Sequence, residues 1–116
     1  MAKPELEFFD PDLTPWEPEA GIDGLYAKNL AVDPEGGSYT RLLKFEPGTD
    51  TSPAGVQRHP HWEEIWIVEG AIIDLTLDKT FTAGMYACRP PGMAHGPWVS
   101  PYGCVTFEVR NMERPT

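Results

Sequence analysis

Long apolar runs are missing from this sequence: no stretch approaches the roughly 18 consecutive apolar residues of a membrane-spanning helix. Its N-terminus is acidic and proline-rich, unlike a secretory leader, so a cytoplasmic location is expected. Basic residues are scarce, 9 against 18 acids, and the net charge of −9 repels nucleic acid and anionic membranes. That balance suits a neutral or cationic ligand or a bound cation, and equally serves solubility. Cysteine is limited to Cys88 and Cys104. Two thiols make no disulfide framework, a reducing cytosol disfavours their pairing, and their spacing is not that of a zinc ribbon. Each is expected to pack as a small apolar side chain. Nucleophile motifs are also absent: there is no G-x-S-x-G and no glycine-rich phosphate loop, so neither an esterase elbow nor a nucleotide cradle can be built.

Helical periodicity is lacking too. Thirteen prolines and 11 glycines among 116 residues break any helix of ordinary length, and no 3.6-period apolar stripe is present. What remains reads as one all-β domain, with short strands separated by turns. Residues 1–20 are expected to form an extended proline-rich arm or loose edge strand, and residues 21–116 a sandwich or barrel. The expected strands are 39–45, 57–59, 63–68 closed at Glu69-Gly70, 71–77 before a turn at Asp78-Lys79, a return from Phe81, 85–88, and 104–110. In the last of these, Val105, Phe107 and Val109 alternate with Thr106, Glu108 and Arg110. Trp66, Tyr86, Phe107 and Trp98 are candidates for a pocket wall, with ordinary core packing as the alternative. Arg41 and Arg89 are candidates to meet an anionic ligand, with surface ion pairing the commoner expectation in an acidic protein.

The chemistry is concentrated in Gln57-Arg58-His59-Pro60-His61-Trp62-Glu63-Glu64 and in Arg89-Pro90-Pro91-Gly92-Met93-Ala94-His95. Residues two apart on a strand face the same way, so Gln57, His59 and His61 share a side if the strand stays regular. Glu63 and Glu64 then face opposite ways. His95 arrives from a distant strand on a Pro-Gly turn. Imidazoles with one carboxylate suit a divalent transition metal and leave positions open for substrate, water or dioxygen. His59, His61 and His95 are the candidate imidazoles and Gln57 a candidate amide ligand, while the turn at Pro60-His61-Trp62 decides whether Glu63 or Glu64 faces them. Glu64 or His61 is placed as general base.

These residues resemble the two motifs of the cupin superfamily. His59-x3-Glu63-x6-Gly70 reproduces the second half of the first motif, and Gly84-x5-Pro90-x-Gly92-x2-His95 reproduces the second motif. The stretches Trp62–Gly70 and Tyr86–Pro97 are similar to the ChrR-like subgroup, which includes a zinc-binding anti-sigma domain, stand-alone bacterial proteins and ketone- or diketone-cleaving dioxygenases. The resemblance implies a double-stranded β-helix, or jelly-roll barrel, a bound divalent metal and a homodimer. The sequence departs from the pattern at three positions: Thr51 stands where the leading glycine is expected, Gln57 where the first histidine is, and Val99 where the final asparagine is. The resemblance implies His59, Glu63 and His95 as the metal ligands, with Gln57 as the fourth group, His61 as first alternate and Glu64 as the weaker carboxylate.

Three readings follow from that resemblance. The first is a metal-dependent enzyme on a small organic substrate: with Fe(II), dioxygenase-type cleavage of a ketone or diketone; with Zn, Ni or Mn, lyase, isomerase or hydrolase chemistry. The second is a non-catalytic metal or ligand sensor, although residues 1–20 lack the character of a helical partner-binding region. The third is a barrel that has lost its metal.

Overall fold

Alternation between β-forming residues and Gly or Pro turns produces nine strands and no α-helix among the residues described by the computed structural model, 2–112. The strands are β1 (Glu17–Pro18), β2 (Leu25–Val32), β3 (Tyr39–Phe45), β4 (Thr49–Asp50), β5 (His61–Asp74), β6 (Lys79–Thr82), β7 (Tyr86–Arg89), β8 (Trp98–Ser100) and β9 (Cys104–Met112). They pair antiparallel in the order β1-β2-β3-β9-β5-β8-β4, with β6 and β7 also on β5. The sheet curls on itself as a jelly-roll half-barrel, the expected fold. No helix among the described residues is long and apolar enough to cross a membrane.

Strand β5 organises the barrel. The sequence suggests two strands divided at Gly70, but the structure holds one continuous strand with an irregularity between Ile67 and Glu69. Up to Gly70 β5 pairs with β7 and β9; from Ala71 onward it pairs with β6 and β8. Gly70 has φ of 78°, and a Cβ there would lie 2.1 Å from the Gly103 carbonyl oxygen. Glycine is required because β9 crosses its backbone so closely. The predicted short strand at 57–59 is reduced to an isolated bridge between Gln57 and His95; β1 is an edge strand within the arm, as one of its two readings had it, and β2, β4 and β8 were not anticipated.

The interior is graded from apolar to charged. Leu25, Phe45, Ile67, Ile72, Trp98 and Cys104 belong to the buried apolar cluster, and Phe81 packs against it. Further along β3 and β9 the inward positions become Arg41, Thr106, Glu108 and Arg110, all buried. The valine-phenylalanine face of β9 is therefore the outer one: Phe107 is 37 % exposed and Glu108 only 3 %. Burial pushes the Cys104 thiol up to about 11, whereas Cys88, expected to pack inside, is exposed.

The arm lies on its own barrel. Glu17 and Pro18 pair with Ala27 and Tyr26, extending the sheet beyond β2. Lys28 Nζ donates to the Pro11 carbonyl at 2.7 Å, and Lys3 Nζ to Thr40 Oγ1 at 2.9 Å. Trp16 receives the ammonium groups of Lys28 and Lys44 at 4.5 and 4.7 Å from its ring centre, a cation–π clamp.

Candidate metal centre

Three backbone hydrogen bonds bring the two histidine segments together. Gly92 N donates to the His59 carbonyl at 2.8 Å. Gln57 and His95 exchange N–H to carbonyl bonds at 2.8 and 3.0 Å. Gly92 reaches its position with φ of 80°, so the Pro-Pro-Gly turn both aims His95 and fastens it to the His59 loop. Glu63, near the start of β5, is held between its neighbours in the sheet, opposite Arg110 of β9 and Arg89 of β7.

His59, Glu63 and His95 converge at this junction, with one ligand atom from each lying within 4.8 Å of the others. His59 Nε2 is 3.5 Å from Glu63 Oε2, and His95 Nε2 is 3.9 Å from Glu63 Oε1. Both ring nitrogens of His95 are buried without a hydrogen-bond partner. Leaving such groups unpaired in a folded interior is costly, and a metal ion would remove that cost for the nitrogen it binds. Burial drives the His95 imidazole down to about 4, against the opposing pull of Glu63. Burial also lowers His59, with Arg110 adding to the effect. Both are therefore neutral near pH 7, the form that ligates.

The carboxylate is prepared in the same sense. Burial alone would raise Glu63, but Arg110, then His95, Arg89 and His59, outweigh it and hold the group ionised. Arg89 Nη1 donates to Oε1 at 2.8 Å. Arg110 Nη2 sits 2.7 Å from Oε2 but off the hydrogen-bonding direction, so Oε2 has charge contact without a donor. A carboxylate has about four lone-pair sites, so these contacts leave capacity for a cation. Two neutral imidazoles and one carboxylate, with neighbouring space open, fit a divalent transition metal. The trio can hold an ion; nothing in it specifies which.

The other anticipated site residues occupy different places. His61 is buried on the same side of β5 as Glu63, its ring 5.0 Å from that of His59 and edge-on to Tyr39 at 6.0 Å. It stands beside the trio rather than within it, and its Nδ1 has no hydrogen-bond partner. Gln57 borders the cavity, but its side-chain nitrogen donates to the Ala54 carbonyl at 2.7 Å. Glu64 alternates to the other side of β5 and accepts a hydrogen bond from Tyr86 Oη, which holds the phenol well above its usual range. The structure does not bring Glu64 to the trio.

The trio opens into a cavity of about 550 Å³. Trp98 and Tyr86 border it, whereas Trp66 and Phe107, two of the expected wall residues, are 51 % and 37 % exposed and outside its lining. A row of ion pairs, most of them buried, runs along its wall. Arg41 of β3 binds Glu108 of β9 at 2.9 Å and Glu19 at 2.8 Å; Arg110 of β9 touches Glu108 at 3.2 Å as well as Glu63. Arg41 and Arg89 are thus interior residues, not surface partners. Sequence reading missed Arg110 and Glu108 because their alternation with valine and phenylalanine suggests the solvent side.

The comparisons agree with this architecture. The family model for the ChrR Cupin-like domain matches residues 5–112. Among solved structures, the chain is similar to an RmlC-like cupin from Shewanella frigidimarina, with TM-score 0.74 and 25 % identity over 98 % of this chain and 96 % of that one. It is similar in fold to an acetylacetone dioxygenase from Acinetobacter johnsonii, with TM-score 0.73 and 19 % identity over 93 % and 74 % of the two chains. A chain in the complex of Rhodobacter sphaeroides SigE with the anti-sigma ChrR gives TM-score 0.64 and 20 % identity, over 86 % of this chain and 50 % of that one. The search of curated proteins finds no match.

Proposed function

The chain belongs to the ChrR Cupin-like family, and on that premise we propose that it is a divalent-metal-dependent enzyme acting on a small organic substrate, with oxidative C–C cleavage of a ketone or diketone as the leading reaction. The observation that carries this reading is the partnerless, neutral His95 imidazole facing His59 and Glu63 at the wall of a cavity large enough for a small molecule. His59, Glu63 and His95 would hold the ion. A bound metal would supply Lewis-acid polarisation of a carbonyl, or, as iron(II), access to dioxygen chemistry. Around it, Trp98 and the apolar residues deeper in the barrel limit water, which strengthens every charge interaction inside. His61 is the nearest uncommitted imidazole and is the better placed general base of the two anticipated, since Glu64 lies across the sheet.

A ketone-cleaving reaction is supported by the similarity in fold to the acetylacetone dioxygenase. The resemblance to a chain of the SigE–ChrR complex favours a second reading, a non-catalytic sensor using the same trio. Elemental analysis of protein purified without chelators separates the cases, with the His59→Ala/His95→Ala double variant alongside. Near-stoichiometric iron in the wild type alone, with oxygen uptake on acetylacetone or related diketones, is the expected result. Zinc, nickel or manganese would redirect the screen to lyase, isomerase and hydrolase reactions. A metal-bound protein that turns over nothing, yet captures a regulator stoichiometrically, would replace the enzyme reading with the sensor; absence of metal would sink both.

A further inference from the structure

Arginine is unevenly distributed in this acidic protein: of five in the chain, Arg41, Arg89 and Arg110 border the cavity. Their exposure is low, with side chains 9 %, 12 % and 10 % accessible. Guanidinium groups are rarely buried without a counter-charge, so the balance of charge around the cavity is informative. Four acids border it, Glu19, Glu63, Asp74 and Glu108, against the three arginines, a net −1. A divalent ion on the trio converts that to +1, inside a space whose deeper walls are apolar. One further negative charge restores neutrality.

The donors for it are already in place. Arg110 uses Nη1 on Tyr39 Oη and Nη2 on the carboxylates, and its Nε is buried, so the residue contributes positive charge rather than a free donor. Among the described residues Arg89 donates Nη1 to Glu63 Oε1, and no other acceptor there takes its remaining two nitrogens. Its guanidinium lies over the Trp98 ring, 4.8 Å from the ring centre, a cation–π contact that consumes no donor. Both arginines flank the same carboxylate, so any group held by the trio lies within their reach.

We propose that Arg89 and Arg110 form an anion subsite beside the trio and that the natural ligand is an organic monocarboxylate carried on an apolar body that fills the barrel. This inference rests on the metal reading above, because without the added cation the cavity has no surplus positive charge to neutralise. Arg89 is the adjustable member, since it belongs to a short strand at the cavity rim; Arg110 is fixed by three oxygen contacts and serves mainly as the immobile half. Fork geometry accounts for the choice of arginine: a planar pair of donors matches a carboxylate in a way that a lysine ammonium does not.

The test uses whole protein loaded anaerobically with iron(II), zinc(II), nickel(II) or manganese(II), metal content being measured before each titration. Pyruvate and benzoylformate, small and large monoacids, are titrated calorimetrically against their neutral methyl esters, in wild type, Arg89→Gln and Arg89→Lys. The expected result is at least tenfold preference for acid over ester in the wild type. That preference should collapse severalfold in Arg89→Gln and return in part in Arg89→Lys, each compared per equivalent of bound metal. Equal binding of acid and ester, no measurable binding of either acid, or an unaltered preference in a metal-loaded Arg89→Gln overturns the subsite while leaving the metal reading intact. If Arg89→Gln fails to fold or to hold metal, the wild-type acid-to-ester ratio and the Arg89→Lys titration decide. A wild type that loads with no ion overturns both.

Discussion

Glu63 serves two demands with the same two oxygens. It is the counter-charge for Arg89 and Arg110 in the resting fold and the carboxylate of the candidate metal trio. Removing its charge should therefore hurt the protein even without metal. Glu63→Gln would leave two buried guanidinium groups facing each other, at a cost of about 3–5 kcal/mol by the usual penalty for breaking a buried pair. Urea unfolding of metal-free protein measures this, and a loss below about 1 kcal/mol would show that the arginines find other partners. His95→Ala should behave differently. It removes a partnerless side chain, so the metal-free protein should lose less than in Glu63→Gln, while the rise in Tm on adding metal should vanish. Acid titration gives a third check. His95 is depressed to about 4 from an ordinary value of 6.5, so the unfolded chain takes up a proton that the folded one refuses. Its contribution to stability is complete above pH 6.5 and is lost as pH falls from there to about 4. Glu63, also depressed, acts in the same direction at the acid end. Metal-free wild type should lose stability across that window more steeply than His95→Ala, a difference readable from denaturant midpoints at successive pH values.

At the level of the strand, the bend in β5 is the feature on which the site depends. It lets one strand build both halves of the barrel while keeping Glu63 at one end and Asp74 at the other. Gly70→Ala would place a methyl group against the Gly103 carbonyl in a left-handed backbone, and a destabilisation of at least about 2 kcal/mol is expected in thermal or urea unfolding. A near-neutral result would mean that β9 can move away from β5 without loss. The same glycine shows why the element boundaries were only partly legible. A Gly after an apolar run signals a strand end in most contexts. Here cross-strand pairing on both sides carries the chain through the bend, and that pairing is not encoded locally. β3, β7 and β9 were readable because each has β-rich sequence between obvious turns; β1, β4 and β8, at two or three residues, have too little sequence for any pattern to show.

For the whole molecule, the arm closes the open side of the sheet in cis, with Trp16 clamped between Lys28 and Lys44. Deleting residues 2–18 should unpair the β2 edge, lower the Tm and promote self-association, seen as concentration-dependent size in gel filtration. A truncated protein that stays as stable and as small as the full chain would make the arm dispensable. Taken by itself, the sequence determined the all-β character, the turn positions that frame the two motifs, and the identity of His59, Glu63 and His95, because ligand type and gap length are local properties that survive without coordinates. Tertiary structure decided which face of β9 is inside, that Glu64 lies across the sheet from the trio, and that Arg41, Arg89 and Arg110 sit within the barrel. The reason is physical. A strand with a valine-phenylalanine face and a charged face turns the apolar one inward only if the interior is uniformly apolar. This barrel pairs its buried charges laterally from β3 to β9 to β5 to β7, and such pairs exist only once the register of four separate strands has been set.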